Sequence, residues 1–209
     1  MRLIFVRHGQ SEGNASGVIQ GRLDFGLSDL GRRQAEETAR WMNQERISRV
    51  LSSPLCRAAE TARFIAEEHG LPVELEPALL EYDIGAVSGL TGAEIRARHP
   101  EVSAAYARGE RPRFPGEEGR EAFHARVSAL LRSLGEQSSD ETVVAVAHGG
   151  VINAACAIVL GVDIKRPGVF QVANCSLTEL TTDRGGRFML RRHNDVCHLA
   201  GLLTTVDRG

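Results

Sequence analysis

The chain has 209 residues, 42% hydrophobic and 25% charged, which suits one substantial globular domain, or one domain carrying an inserted lid. Its net charge of −2 argues against nucleic-acid binding driven by bulk electrostatics, and no run approaches the roughly 20 apolar residues of a membrane span. The opening apolar run Leu3-Ile4-Phe5-Val6 is too short for a signal peptide, so a cytoplasmic location is expected.

Leu3 to Val6 reads as a short buried strand, followed by polar, glycine-containing sequence through Arg22. Ser28 is a suitable N-cap for a helix over about residues 30–44, with Ala35, Thr38, Ala39 and Met42 on one face. A second strand is expected over Arg49 to Ser52. Pro54 is then placed in the first turn of a helix running to His69, which Gly70 and Pro72 stop. Val73 to Leu75 gives a third strand. Between Glu81 and Gly119 glycines and prolines break the chain into short pieces, among them a helix over Gly92 to Arg98, and the segment at about 86–120 reads as a lid. Phe123, Val127, Leu130, Leu131 and Leu134 share one face of an amphipathic helix. TVVAVA (Thr142 to Ala147) is continuous rather than alternating, as central parallel strands are. A helix over Val151 to Leu160 and a hairpin with strands near 177–181 and 188–192 complete the pattern. The expected fold is a three-layer α/β/α sandwich with a mostly parallel central sheet.

Lys165 is the sole lysine. Lysine Schiff bases and the GxxxxGK[ST] phosphate loop are thereby excluded, and anion recognition falls to Arg, His and backbone N–H groups. Cys56, Cys156, Cys175 and Cys197 show no paired spacing and read as buried structural thiols. His193, Cys197 and His198 carry donor types that suit zinc, but their spacing fits no standard site, so no metal is assigned. His69, His99 and His124 read as surface residues.

Two strands end alike, LIFV in Arg7-His8-Gly9 and VVAVA in His148-Gly149-Gly150. In open α/β sheets, sites gather at such strand ends. Alone, His8 or Arg57 would pass for a structural or solvated residue. Gly9 suggests close approach of the backbone to a ligand.

Arg7 through Asn14 (RHGQSEGN) resembles the RHGxSxxN signature of the histidine phosphatase superfamily, the phosphoglycerate mutase-like family. Four further blocks follow in order along nearly the whole chain. Gln20-Gly21 with Asp24 and Leu27-Ser28 is similar to QGxxDxxLS, and residues 52–61 (SSPLCRAAET) to SSPLxRAxET. Leu80-Glu81 with Gly85 resembles the acid segment, and His148-Gly149-Gly150 the second histidine. Asn194 and His198-Leu199 are also family-like.

The resemblance implies a single phosphoglycerate mutase-like domain over residues 1–209 that uses no cofactor and acts on a small phosphomonoester, with neither nucleic acid nor membrane as partner. It implies His8 as the nucleophile, Arg7, Arg57 and His148 as a cationic clamp on the phosphoryl oxygens, and Glu81 as proton donor. Asn14, Gln20, Gly21 and Gly149 would bind phosphate or substrate. The alternative is a cofactor-dependent phosphoglycerate mutase, against which stand the shorter chain and a lid without the lysine and Trp-Arg-Arg pattern of those enzymes. Val87-Ser88-Gly89 replaces the family's Trp-Glu-Gly, and Gly116-Glu117-Glu118-Gly119 its GGES-like segment. Six arginines between Arg96 and Arg120, nearly balanced by acids, leave the substrate's charge open, as is the choice between monomer and homodimer.

Overall fold

The computed structural model describes residues 1–110, 112–137, 140–162 and 170–203. Lys165, and Arg111 among the six arginines from Arg96 to Arg120, lie outside the described residues. The sheet has six strands: β1 (Arg2–Arg7), β2 (Arg49–Ser52), β3 (Val73–Leu75), β4 (Thr142–Ala147), β5 (Leu177–Thr182) and β6 (Phe188–Asp195). Their order is β3-β2-β4-β1-β5-β6. The first four are parallel, whereas β5 and β6 add an antiparallel edge.

Side chains alternate across a strand, and here both faces are covered. Leu3 and Phe5 of β1 and Val143, Ala145 and Ala147 of β4 enter one hydrophobic cluster. Ile4, Val6, Val144 and Val146 enter the other. Continuous apolar runs are therefore required in these two central strands, each buried Val, Leu or Ile contributing about 1.5–3 kcal/mol. Helices α2 (Asp29–Met42) and α3 (Cys56–His69) cover the second face through Ala39, Met42, Ala58, Ala62 and Ile65. Helices α6 (Arg120–Glu136) and α7 (Gly149–Leu160) cover the first through Val127, Leu131, Val151 and Ile152. The result is the expected α/β/α sandwich.

Local chemistry sets the helix ends. The Ser28 hydroxyl accepts from the Gly31 N–H at 3.1 Å and starts α2. The start of α3 differs from expectation: Leu55 is extended, so Pro54 precedes the helix instead of occupying its first turn. The Cys56 N–H donates to Asp24 Oδ1 at 2.7 Å, a carboxylate at the positive helix end. Gly70, at φ 62°, ends α3 in the left-handed conformation. The hairpin turn is fixed by Asp183 Oδ1, which accepts from Gly185 N and Arg187 N at 2.9 and 3.0 Å.

Between β3 and α6 the chain forms α4 (Gly92–Arg98), begun by a Thr91/Glu94 capping box, and α5 (Pro100–Ala107). The sequence reading passed over α5, although Pro100 sits at its first turn, where proline is favoured. A four-residue helix α1 (Glu12–Ala15) was also missed. Cys156 and Cys175 are buried as expected, but Cys56 and Cys197 are exposed. The former opens α3 and the latter follows β6 in a single 3₁₀ turn, and neither position faces a core layer.

Candidate active site

Strands β1 and β4 are neighbours with Arg7 opposite Ala147, so the next residues, His8 and His148, emerge side by side. Their ring centroids are 5.1 Å apart. Strand β2, on the other side of β4, leads through Ser53 into α3 and its Arg57. Parallel topology alone thus gathers three segments distant in sequence at one end of the sheet.

His8 is buried, and its Nδ1 lies 2.7 Å from the Gly9 carbonyl. That carbonyl can only accept, so Nδ1 carries the proton and Nε2 keeps its lone pair. The Asn174 amide donates to the His8 carbonyl at 2.8 Å and pins the backbone at the same point. Gly9 serves a different purpose from the one expected. Its N–H donates to Thr61 Oγ1, and a Cβ there would stand 2.5 Å from the carbonyl oxygen of Gly31 in α2. Glycine is required for packing of the loop on that helix, not for approach to a ligand.

Burial first, then the neighbouring His148 in the case of His8, and for both rings Arg57 and Arg7, holds His8 and His148 well below the ordinary histidine value of 6.5. Both are neutral near pH 7, so the positive charge beside them is that of Arg7 and Arg57. His148 Nε2 lies 2.8 Å from Ser53 Oγ, while its buried Nδ1 has no hydrogen-bond partner among the described residues. A stability effect follows. Below pH 6.5 the unfolded chain binds protons that the folded histidines refuse, so stability falls on acidification from that point down to the depressed folded values. Each histidine adds a slope of up to about 1.4 kcal/mol per pH unit. The urea midpoint should drop between about pH 7 and pH 5, less steeply in His8→Ala. A midpoint that is flat, or that rises on acidification, would contradict the lowered values.

Arg57 is almost fully buried and donates to the Leu23 and Gly21 carbonyls at 2.7 and 2.8 Å. Arg7 donates to the Val172 carbonyl. These bonds hold two guanidinium groups at the cavity wall. Ser11, a residue of the RHGxSxxN block given no role from the sequence, orders the neutral donors. Its hydroxyl donates to Gln20 Oε1 at 2.7 Å and its backbone N–H to Asn14 Oδ1 at 3.1 Å. Both amide oxygens are thereby occupied, leaving both NH₂ groups for the pocket.

Glu81 sits in the loop after β3. Its Oε1 accepts from Tyr82 N at 2.7 Å and its Oε2 from Gly150 N, in the first turn of α7, at 3.1 Å. A Cβ on Gly150 would stand 2.2 Å from Glu81 Oε1, so glycine is required there for the carboxylate to seat. Arg126 donates to the Ala78 and Leu80 carbonyls, and Arg22 to that of Glu81. Glu118 accepts from both arginines. This Arg22–Glu118–Arg126 bridge fixes the segment carrying Glu81, and it is what the Gly116-Glu117-Glu118-Gly119 departure supplies.

Arg7, His8, Asn14, Gln20, Gly21, Arg57, Glu81 and Gly149 all line one cavity of about 560 Å³. His148 is not in its wall and stands behind His8. From the 86–120 segment, Tyr106, Phe114 and Arg120 reach the cavity, as does His124, which is therefore no ordinary surface histidine. His193 and His198 are structural: they contact the Gln171 carbonyl at 2.8 Å and Thr38 Oγ1 at 3.0 Å. Among the described residues there is no group of three or more His, Cys, Asp or Glu placed to hold a metal ion.

The chain matches the family model of the histidine phosphatase superfamily (branch 1) over residues 3–196 and belongs to that superfamily. It is 33% identical to phosphoserine phosphatase 1 of Hydrogenobacter thermophilus, over 95% of this chain and 94% of the relative. It is 36% identical to the glucosyl-3-phosphoglycerate phosphatase of Mycolicibacterium vanbaalenii, over 86% and 83% of the two chains. The solved structure of a mycobacterial glucosyl-3-phosphoglycerate phosphatase complexed with VO3 superposes with a TM-score of 0.84 at 33% identity, covering 93% of this chain and 99% of that one.

Proposed function

We propose that the chain is a phosphomonoesterase working through a phosphohistidine on His8. The observation that carries this reading is a neutral, buried imidazole whose Nδ1 is tied to the Gly9 carbonyl, leaving Nε2 in a cavity that it shares with two arginines and Glu81. Nε2 attacks phosphorus as the bond to the alcohol oxygen breaks, and Glu81 gives that oxygen its proton. The Glu81 carboxylate then takes a proton from water, whose oxygen attacks phosphorus. The P–N bond breaks, and inorganic phosphate leaves with His8 restored. Arg7, Arg57 and the amides of Asn14 and Gln20 hold the equatorial oxygens, where charge stabilisation matters most. His148, backed by Ser53, orients His8 and gains a phosphoryl contact only as the ring closes on bound substrate.

The chemistry needs no metal in this reading, because the arginine pair supplies the positive charge. The whole chain acts as one domain, with residues 86–120 as the lid, a role supported by Tyr106 and Phe114 at the cavity. Four free thiols, two of them exposed, fit the reducing cytoplasm. After dialysis against a chelator the protein should release inorganic phosphate from a primary alkyl phosphate at an unchanged kcat. Loss of activity restored by zinc or magnesium would contradict the metal-independent reading. Efficient interconversion of 3- and 2-phosphoglycerate, stimulated by the bisphosphate, would transfer the assignment to the mutase.

A further inference from the structure

The cavity wall combines two chemically distinct sets of residues. One is His8, Arg7, Arg57, Asn14 and Gln20, the phosphoryl site of the proposed function. The other is apolar and comprises Ile19, Ile84, Tyr106, Phe114, Phe123 and Phe170. Two of these, Ile19 at 43% and Tyr106 at 53% relative exposure, are among the few large hydrophobic side chains the chain leaves open to solvent. They come from separate elements, the loop after α1 and helix α5, and both line the cavity.

Among the polar residues of the wall, Asn153 accepts from Phe170 N at its Oδ1 and donates from its Nδ2 to the Gly149 carbonyl. A ring or branched apolar body on the substrate would meet the apolar side chains of the same wall. A cavity of about 560 Å³ is of the size that encloses a drug-sized ligand, well beyond a three-carbon acid.

We infer that the substrate is a phosphomonoester whose alcohol half carries an aromatic or large apolar group, recognised between Ile19 and Tyr106 at the cavity mouth and Phe114, Phe123 and Phe170 further in. The inference rests on the phosphatase reading and deepens it, for phosphoserine and phosphoglycerate carry no ring or large apolar group to set against this wall.

The test compares primary alkyl esters with equally basic leaving oxygens, so that chemistry is constant and only the distal group varies. The kcat/KM for 3-phenylpropyl phosphate should exceed that for propyl phosphate by at least about tenfold, the return expected for burying a ring in an apolar site. In Ile19→Ala and Tyr106→Ala, at exposed positions where the fold tolerates truncation, the ratio between the two esters should fall toward one. Equal kcat/KM on the two esters in the unmodified protein overturns the inference. So does a preference for phosphoserine or 3-phosphoglycerate over both, or a ratio unmoved in the two variants. Failure of a folded protein to release phosphate from any ester would overturn the phosphatase reading itself, a separate result.

Discussion

His8→Ala should lower kcat by about 10⁴-fold or more, the scale seen when a covalent nucleophile is removed and only binding and charge stabilisation remain. The loss should fall on kcat and kcat/KM together. KM should move little if, as proposed, Arg7, Arg57 and the two amides hold the phosphoryl group without the imidazole. His8 is also well placed for a clean test. It lines the cavity, and its backbone is fixed independently by Asn174 and Ala147, so truncation leaves the strand end in place. A variant that keeps more than about a tenth of the activity would rule out His8 as the attacking group.

Glu81→Gln should matter in proportion to how poor the leaving group is. An alkoxide needs a proton in the transition state, whereas a nitrophenolate departs almost unaided. General acid catalysis is typically worth about 10²–10⁴-fold, or roughly 3–5 kcal/mol at about 1.4 kcal/mol per decade. Most of that should be lost on an alkyl phosphate, and far less on nitrophenyl phosphate. The comparison belongs on kcat/KM or on the nitrophenolate burst, because water attack in the second step also uses the carboxylate. Gly150→Ala should shift the balance in the same direction, since its methyl would occupy the seat of Oε1. Equal losses on both esters would remove Glu81 as the acid and make Asp83, which caps Gly85 N at 3.0 Å, the next residue to test.

The sheet was legible because its central strands are buried on both faces. Burial of that kind demands the unbroken runs LIFV and VVAVA, and the register of β1 on β4 then places the two histidines together. The ordered motif blocks marked residues that the fold brings to one cavity, several of them at a strand end or in a helix's first turn, as His8, Arg57 and Gly149 are. The supports of the site were not legible. Arg22, Glu118 and Arg126 lie more than a hundred residues apart at their extremes, carry no motif, and act as a unit only once folded. Ser11 was visible within a motif, but the two amides it orders come together only when the loop closes. Gly9 was misread because a glycine beside a histidine looks the same whether the neighbour is a ligand or, as here, the backbone of α2. The apolar end of the cavity draws on residues between Val18 and Phe170, and single hydrophobic residues in loops give no periodic signal.

Covalent trapping on His8 tests the central claim most directly. The protein should be mixed with phosphate-labelled substrate, quenched rapidly without acid and digested, and the labelled peptide sequenced. The expected result is label on the peptide containing His8, stable in alkali, labile in acid and absent from His8→Ala. Label that survives acid, or that persists in His8→Ala, would contradict a phosphohistidine at this position.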